Sequence, residues 1–211
     1  MSKKIVKIDL WAEHRDVYSP SAKVPQLVTV PPLVYLAVDG SGDPSKAAAF
    51  REAIGALYGL AYTMKFAFKK EHAIDFRVMP LSGLYHADDP AAFPSPLRDQ
   101  WKWTLMMPVP SVFTAAVVKK AKADLTRRKG AVPALDLVRR QVVREGLSAQ
   151  ILHVGPYSAE GPTIEKLHAF ILESGLEFAG SHHEIYLSDP NRSAPEKMKT
   201  IVRQPVKKKP R

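Results

Sequence analysis

The clearest pattern in the chain lies near its C-terminal end, where polar and apolar residues alternate through Glu184-Ile185-Tyr186-Leu187. Side chains along a strand repeat with period two, so Glu184 and Tyr186 share one face of a predicted strand while Ile185 and Leu187 share the other. A carboxyl and a phenol then stand side by side. Their face is a binding or catalytic floor if it lines a cavity, and carries no meaning if it faces water.

From the N-terminus, residues 1–30 are too polar and too marked by Pro20 and Pro25 for a long regular element, and are expected to form an arm packed over the domain. Pro31 and Pro32 stop any helix. The β-rich run 33–38 then predicts a buried strand, ended by the turn cluster Asp39-Gly40-Ser41-Gly42-Asp43-Pro44. Ser45 is the expected N-cap of a helix reaching about Lys70, with Phe50, Ile54, Leu57, Leu60, Ala61 and Met64 at helical spacing. Gly55 and Gly59 lie one turn apart on it, as do Tyr58 and Tyr62.

Residues 76–81 read as a second strand running into Ser82-Gly83-Leu84-Tyr85-His86, before a polar, proline-rich loop from Asp88 to Pro96. A third strand covers 101–107 and puts the indoles of Trp101 and Trp103 on one face; Ser111 is a candidate cap for a helix to about Arg128. Residues 134–143 fit either a helix or an edge strand. Beyond them come a strand at 149–154, a turn at Gly155-Pro156-Tyr157-Ser158, and a helix at 162–174 opened by acidic Glu160 and Glu165. Gly175 and Gly180 mark a loop, and strands at 184–187 and 199–202 are joined through Asp189-Pro190-Asn191-Arg192.

The second half thus repeats the first: strand, helix, strand, strand. The expected fold is α+β, a duplicated strand-helix-strand-strand architecture with pseudo-twofold symmetry and a ligand groove between the halves. One domain spans 1–211, divided into an arm (1–30), a first half (31–130), a second half (131–205) and a basic tail (206–211).

Composition narrows the classes. With 45% hydrophobic and 25% charged residues the chain has the make-up of a globular protein. Zero cysteines exclude disulfides, thiolate metal sites and a cysteine nucleophile. No apolar run approaches the ~20 residues of a membrane-spanning helix, so a soluble, cytoplasmic protein without membrane partners is expected. The net charge of +10 raises nucleic acid as a partner. Much of the excess lies in Lys119-Lys120-Ala121-Lys122, Arg127-Arg128-Lys129, Arg139-Arg140 and the tail from Lys207, which suits solvated helix faces and a frayed end, with nonspecific contact at most.

Candidate chemistry gathers where the groove would form. Tyr58, Tyr62, Tyr85, Trp101 and Trp103 are candidate ligand contacts, since flat aromatic walls stack on planar or cationic molecules. Tyr157 and Tyr186 join them from the second half. Glu184 is the sharpest candidate: a carboxylate inside an aromatic cavity is desolvated, its pKa rises, and it can hold a cation or act as a general base. His182 and His183 point to opposite faces and cannot easily share an ion, even with His153 and His168 nearby in sequence, so neither a metal nor a cofactor is expected. Gly40-Ser41-Gly42 lacks the lysine and spacing of a phosphate loop, and no G-x-S-x-G elbow supports a serine triad.

The chain resembles the GyrI-like family of small-molecule-binding domains through Tyr18-Ser19-Pro20, Pro31-Pro32, the 39–44 turn, Trp101-Lys102-Trp103-Thr104, and most densely the stretches 150–157 and 183–190. The resemblance implies the duplicated fold and a groove binding bulky, often cationic aromatic molecules over a glutamate floor, here Glu184, with His153 of the 150–157 stretch as a further ligand contact. It also implies a second possibility, since some stand-alone members hydrolyse the strained cyclopropane of DNA-alkylating natural products. Glu184 would then activate water, and Tyr157 or Tyr186 would hydrogen-bond the substrate carbonyl. Other relatives antagonise DNA gyrase. Ser82 and Tyr85 stand where many stand-alone members carry glutamate and tryptophan, and a requirement for that glutamate would leave binding without catalysis.

Overall fold

The computed structural model describes residues 4–86 and 98–209. Along the chain run β1 (Val6–Ile8), α1 (Leu10–Glu13), α2 (Arg15–Tyr18), β2 (Gln26–Val30), β3 (Leu33–Ser41), α3 (Ala48–His72), β4 (Ile74–Phe76), β5 (Ser82–His86), β6 (Lys102–Val109), α4 (Ala115–Lys129), β7 (Arg139–Val143), β8 (Gly146–Val154), α5 (Gly161–Glu173), β9 (Leu176–Phe178), β10 (His182–Tyr186) and β11 (Lys199–Lys208). The main sheet has the order β2-β8-β11-β10-β5-β6-β3-β7, with β9 on β11; β1 and β4 pair separately and in parallel. The expected α+β class is what the chain adopts. The segments β3-α3-β4-β5-β6 and β8-α5-β9-β10-β11 have the same element order, and they join edge to edge where β5 meets β10, Glu184 opposite Gly83.

Helical periodicity explains α3. Ala53, Ala56, Leu57, Leu60, Ala61 and Met64 bury one stripe against the sheet, where a larger cluster also takes in Val118 and Leu125 of α4 and Ile164, Leu167 and Ile171 of α5. A Cβ on Gly59 would come within 3.3 Å of Leu125, so the missing side chain allows α3 and α4 to pack closely. The opposite face of the sheet is covered by the N-terminal residues: Leu10, Val17 and Tyr18 pack with Val28, Met79, Ile185 and Ile201. No helix among the described residues is long and apolar enough to cross a membrane.

Several boundaries differ from expectation. The N-terminal arm contributes β2, a full member of the sheet along β8. Ser45 does not cap α3: its N–H and hydroxyl both donate to Asp43, and the helix starts later. Thr114, not Ser111, caps α4, accepting from the Val117 N–H. The strand expected at 76–81 splits, because Pro80 has no N–H for a ladder and pairing resumes only at Ser82. Residues 139–143 form the edge strand β7, and the 175–180 loop contains β9. The tail is ordered through Lys208, since Val206, Lys207 and Lys208 pair with Phe178, Glu177 and Leu176. The loop from Asp88 to Pro96 lies outside the described residues.

Candidate functional site

A cavity of about 980 Å³ opens over the central strands β5 and β10, on the face that carries the helices. Such a volume suits a drug-sized organic molecule. Helix α3 supplies Phe50, Ile54, Tyr58 and Tyr62 along one wall; Tyr157 and Glu160 enter from the start of α5; Tyr85, Glu184 and Tyr186 rise from the strands below. Trp101 closes one end, edge-on to Tyr85 at 5.3 Å and covered by the Arg98 guanidinium at 5.3 Å. Six of the aromatic residues expected at a groove therefore meet here: Tyr58, Tyr62, Tyr85, Trp101, Tyr157 and Tyr186.

Trp103 and His153 do not line the cavity. Trp103 shares the face of Tyr85 by register but is roofed by Phe50, edge-on at 5.0 Å, and its ring fills the space above Gly40. A Cβ on Gly40 would fall 2.1 Å from that indole, so this glycine is what lets the tryptophan sink into the core. His153 Nε2 donates to the Pro156 carbonyl at 3.3 Å, and its Nδ1 hydrogen-bonds the Thr163 hydroxyl at 2.8 Å, binding the start of α5 to β8 and so setting where Tyr157 and Glu160 stand. Ser82 faces away from the cavity: it pairs with Ile185, and its hydroxyl donates to the Met106 carbonyl at 3.3 Å. A glutamate in its place would project from the face opposite Glu184.

At the floor, hydroxyls and carboxyls form a chain. Tyr186 donates to Glu184 at 3.1 Å, and since its proton is used there, Tyr85 donates to the Tyr186 oxygen at 2.6 Å. Tyr157 meets Tyr186 edge-on at 5.6 Å, leaving its hydroxyl outside that chain. Gly83 makes room, because a Cβ there would come within 3.0 Å of the Tyr186 hydroxyl.

The feature absent from the sequence-based expectations is Glu160. It occupies the N-cap position of α5, where an acidic side chain usually accepts from the first turn, yet it makes no capping bond and is only 5% exposed. Burial, then the Glu184 carboxylate beside it, push Glu160 up to about 9. Burial also raises Glu184, to about 7, against the opposing hydrogen bonds from Tyr186 and Glu160. Two carboxyls in one dry site cannot both ionise cheaply, so near neutral pH the pair holds at least one proton. Burial, followed by Glu160, lifts Tyr157 to about 12, which keeps its phenol a donor.

This arrangement has a stability cost with a definite sign. Unfolded Glu160 loses its proton near the ordinary 4.5 while the folded residue keeps it to about 9, so the folded state binds more protons in that window and stability falls as pH rises. Glu160→Gln removes the penalty. Its Tm is expected to match wild type near pH 4 and exceed it at pH 8, by about 2–4 °C per kcal/mol relieved, as read by calorimetry. Equal Tm values at pH 8 would mean that folding does not raise the Glu160 carboxyl.

Known proteins resemble the chain along most of its length. The model of the GyrI-like small molecule binding domain matches residues 23–207. A crystal structure of an uncharacterized conserved protein from Listeria innocua is 36% identical, with a TM-score of 0.86, covering 95% of this chain and 100% of that one. A hydrolase from Listeria innocua is also 36% identical, at TM-score 0.83 and the same coverage, 95% and 100%. The C-terminal domain of EcmrR shares the fold at 12% identity and TM-score 0.55, covering 88% of this chain and 98% of that domain. No curated protein matches the chain.

Proposed function

We propose a function from the premise that the chain belongs to the GyrI-like small-molecule-binding family: the cavity takes up a flat, apolar aromatic molecule, and the carboxyl pair hydrolyses a strained, electrophilic ring on it. The observation that carries this is the pair itself. Glu184 and Glu160 are neighbours, and burial holds both carboxyls above the ordinary range. A pair that shares a proton near neutral pH offers one carboxylate as a base beside one that stays protonated.

In a cyclopropane conjugated to a carbonyl, water attacks the ring methylene. A C–O bond forms as the strained C–C bond breaks, and the released electron pair passes to the carbonyl oxygen. Glu184 takes the proton of the attacking water, since a base titrating near the working pH is both ionised and basic enough. Glu160, still protonated, keeps the floor at one negative charge. Tyr157 donates its hydrogen bond to the oxygen where charge develops, because the Tyr186 proton is committed to Glu184. That oxygen then takes a proton from solvent, and Glu184 returns its own. The similarity to a hydrolase from Listeria innocua supports the reading, as does the position of Ser82, which removes nothing from the cavity.

A second reading is reversible binding of cationic aromatic molecules without chemistry. It is favoured by the single negative charge beneath tyrosine and tryptophan faces. The two readings separate in one experiment. A planar aromatic ketone bearing a fused cyclopropane is titrated against the fluorescence of the tryptophans, then incubated and analysed by mass spectrometry. Quenching with a product one water heavier is expected. Quenching without product leaves binding alone; no quenching overturns the first reading, and none with a flat aromatic cation overturns the second.

A further inference from the structure

On the sheet face away from the cavity, the ends of β3, β5, β6 and β10 bring Asp39, His86, Thr104 and Ser181 into one line of hydrogen bonds. None of the four lines the cavity. The register sets this up: Asp39 pairs with Thr104 across β3 and β6, and His86 is the residue after Tyr85, so its ring points to the opposite face. Gly180, in the left-handed conformation at φ 58°, turns the chain so that Ser181 arrives beside it.

The direction of each bond follows from the fixed end. Asp39 is held ionised: partial burial raises it, but hydrogen bonds from Arg139 and Thr104 outweigh that and bring its pKa below the ordinary value. Arg139 grips both of its oxygens, at 2.8 and 2.7 Å. Asp39 can therefore only accept, and Thr104 donates to it at 2.6 Å. With its proton used, the Thr104 oxygen accepts from His86, whose Nε2 lies 2.9 Å away and must carry the hydrogen. That fixes the tautomer. The other ring nitrogen, Nδ1, is bare and accepts from the Ser181 hydroxyl at 2.8 Å. Burial lowers the pKa of His86, keeping the imidazole neutral and able to accept.

A serine donating to a bare imidazole nitrogen, with the opposite N–H of that ring oriented through a hydroxyl by an ionised aspartate, is the nucleophile, base and orienter order of acyl-transfer sites. We propose that Ser181 is an activated nucleophile that reacts with activated carboxylic and phosphonic esters, a site separate from the aromatic cavity. The Ser181 oxygen attacks the acyl carbon or phosphorus as His86 Nδ1 takes its proton. The leaving phenolate or fluoride departs with the bonding pair, and the proton passes from His86 to it or to solvent. Since His86 is exposed and Ser181 half-buried, a small reagent reaches the pair from solvent. Good leaving groups suit the site because they depart without a dedicated acid.

The probes are p-nitrophenyl acetate and an alkyl fluorophosphonate on the full chain, with adducts read by intact mass and located by peptide mapping. One adduct on Ser181 is expected, and none in Ser181→Ala. In His86→Gln the labelling rate should fall on the order of 10²–10⁴-fold, the range for loss of a positioned base. Thr104→Val, which cuts the line to Asp39 while leaving the serine and the histidine in place, should also slow labelling. Circular dichroism verifies the fold of each variant. Absence of a Ser181 adduct in wild type, or equal rates in wild type, His86→Gln and Thr104→Val, overturns the proposal.

Discussion

Glu184→Gln is expected to lower turnover of a cyclopropane-bearing aromatic ketone by roughly 10²–10⁴-fold, the usual contribution of a positioned general base. Binding should change little. Glutamine has the same shape, its carbonyl oxygen can still accept from Tyr186, and the aromatic walls that hold the ligand are untouched. The split between turnover and affinity is what identifies a base, since loss of a merely structural residue would weaken both. Product formation measured by mass spectrometry and affinity measured by tryptophan quenching make the comparison. Glu160→Gln supplies the contrast. Protonated Glu160 holds Glu184 down by donating to it, and a glutamine amide donates more weakly than a carboxylic acid, so the acid limb of the activity profile should move up from about 7. Unchanged turnover in Glu184→Gln would remove Glu184 as the base.

The parts of this site that a strand pattern can reveal were legible. Alternation alone places Glu184 and Tyr186 on one face, and helical spacing places Tyr58 and Tyr62 one turn apart; both pairs line the cavity. Periodicity specifies a face and says nothing about what covers it. Trp103 is on the same face as Tyr85, yet its indole sinks into the gap at Gly40 that only the cross-strand register reveals, and Phe50 reaches across from α3 and seals it. Glu160 failed for the opposite reason. An acidic residue just ahead of a helix reads locally as a cap, and its turn toward Glu184 depends on β8 and α5 meeting through His153 and Thr163. The boundary at Pro80 and the late start of α3 were matters of local chemistry, a missing N–H and an Asp43 turn competing with a helix cap. The Ser181–His86 line joins residues far apart in sequence, and no spacing rule reaches it.

The second large effect concerns the other face of the sheet. Glu145 is buried with Arg203, their side chains 3% and 1% exposed and 3.0 Å apart, and it accepts from His183 at 2.8 Å. Arg203 also donates to Gln150 and to the Val17 carbonyl, so the network fastens the N-terminal residues to β8 and β11. Burial alone would raise Glu145, but His183 and Arg203 outweigh it and bring the carboxyl down to about 2. Removing Glu145 leaves the Arg203 charge in the core with neutral partners alone. Glu145→Ala is therefore expected to cost about 3–5 kcal/mol, seen as a lower urea midpoint at neutral pH. The pH dependence has a fixed sign. The folded carboxyl releases its proton below the ordinary 4.5, so its contribution is complete above that value and is lost as pH falls toward about 2. Burial also depresses His183, which penalises the fold as pH drops below 6.5. That penalty falls on both proteins, so the gap between wild type and Glu145→Ala should be open at neutrality and close only as pH falls from 4.5 toward about 2. A cost under about 1 kcal/mol at pH 7 would place the network among the near-neutral ion pairs that hydrophobic residues can replace. It would leave the Val17 contact and the buried Leu10, Val17 and Tyr18 side chains as what holds the arm in place.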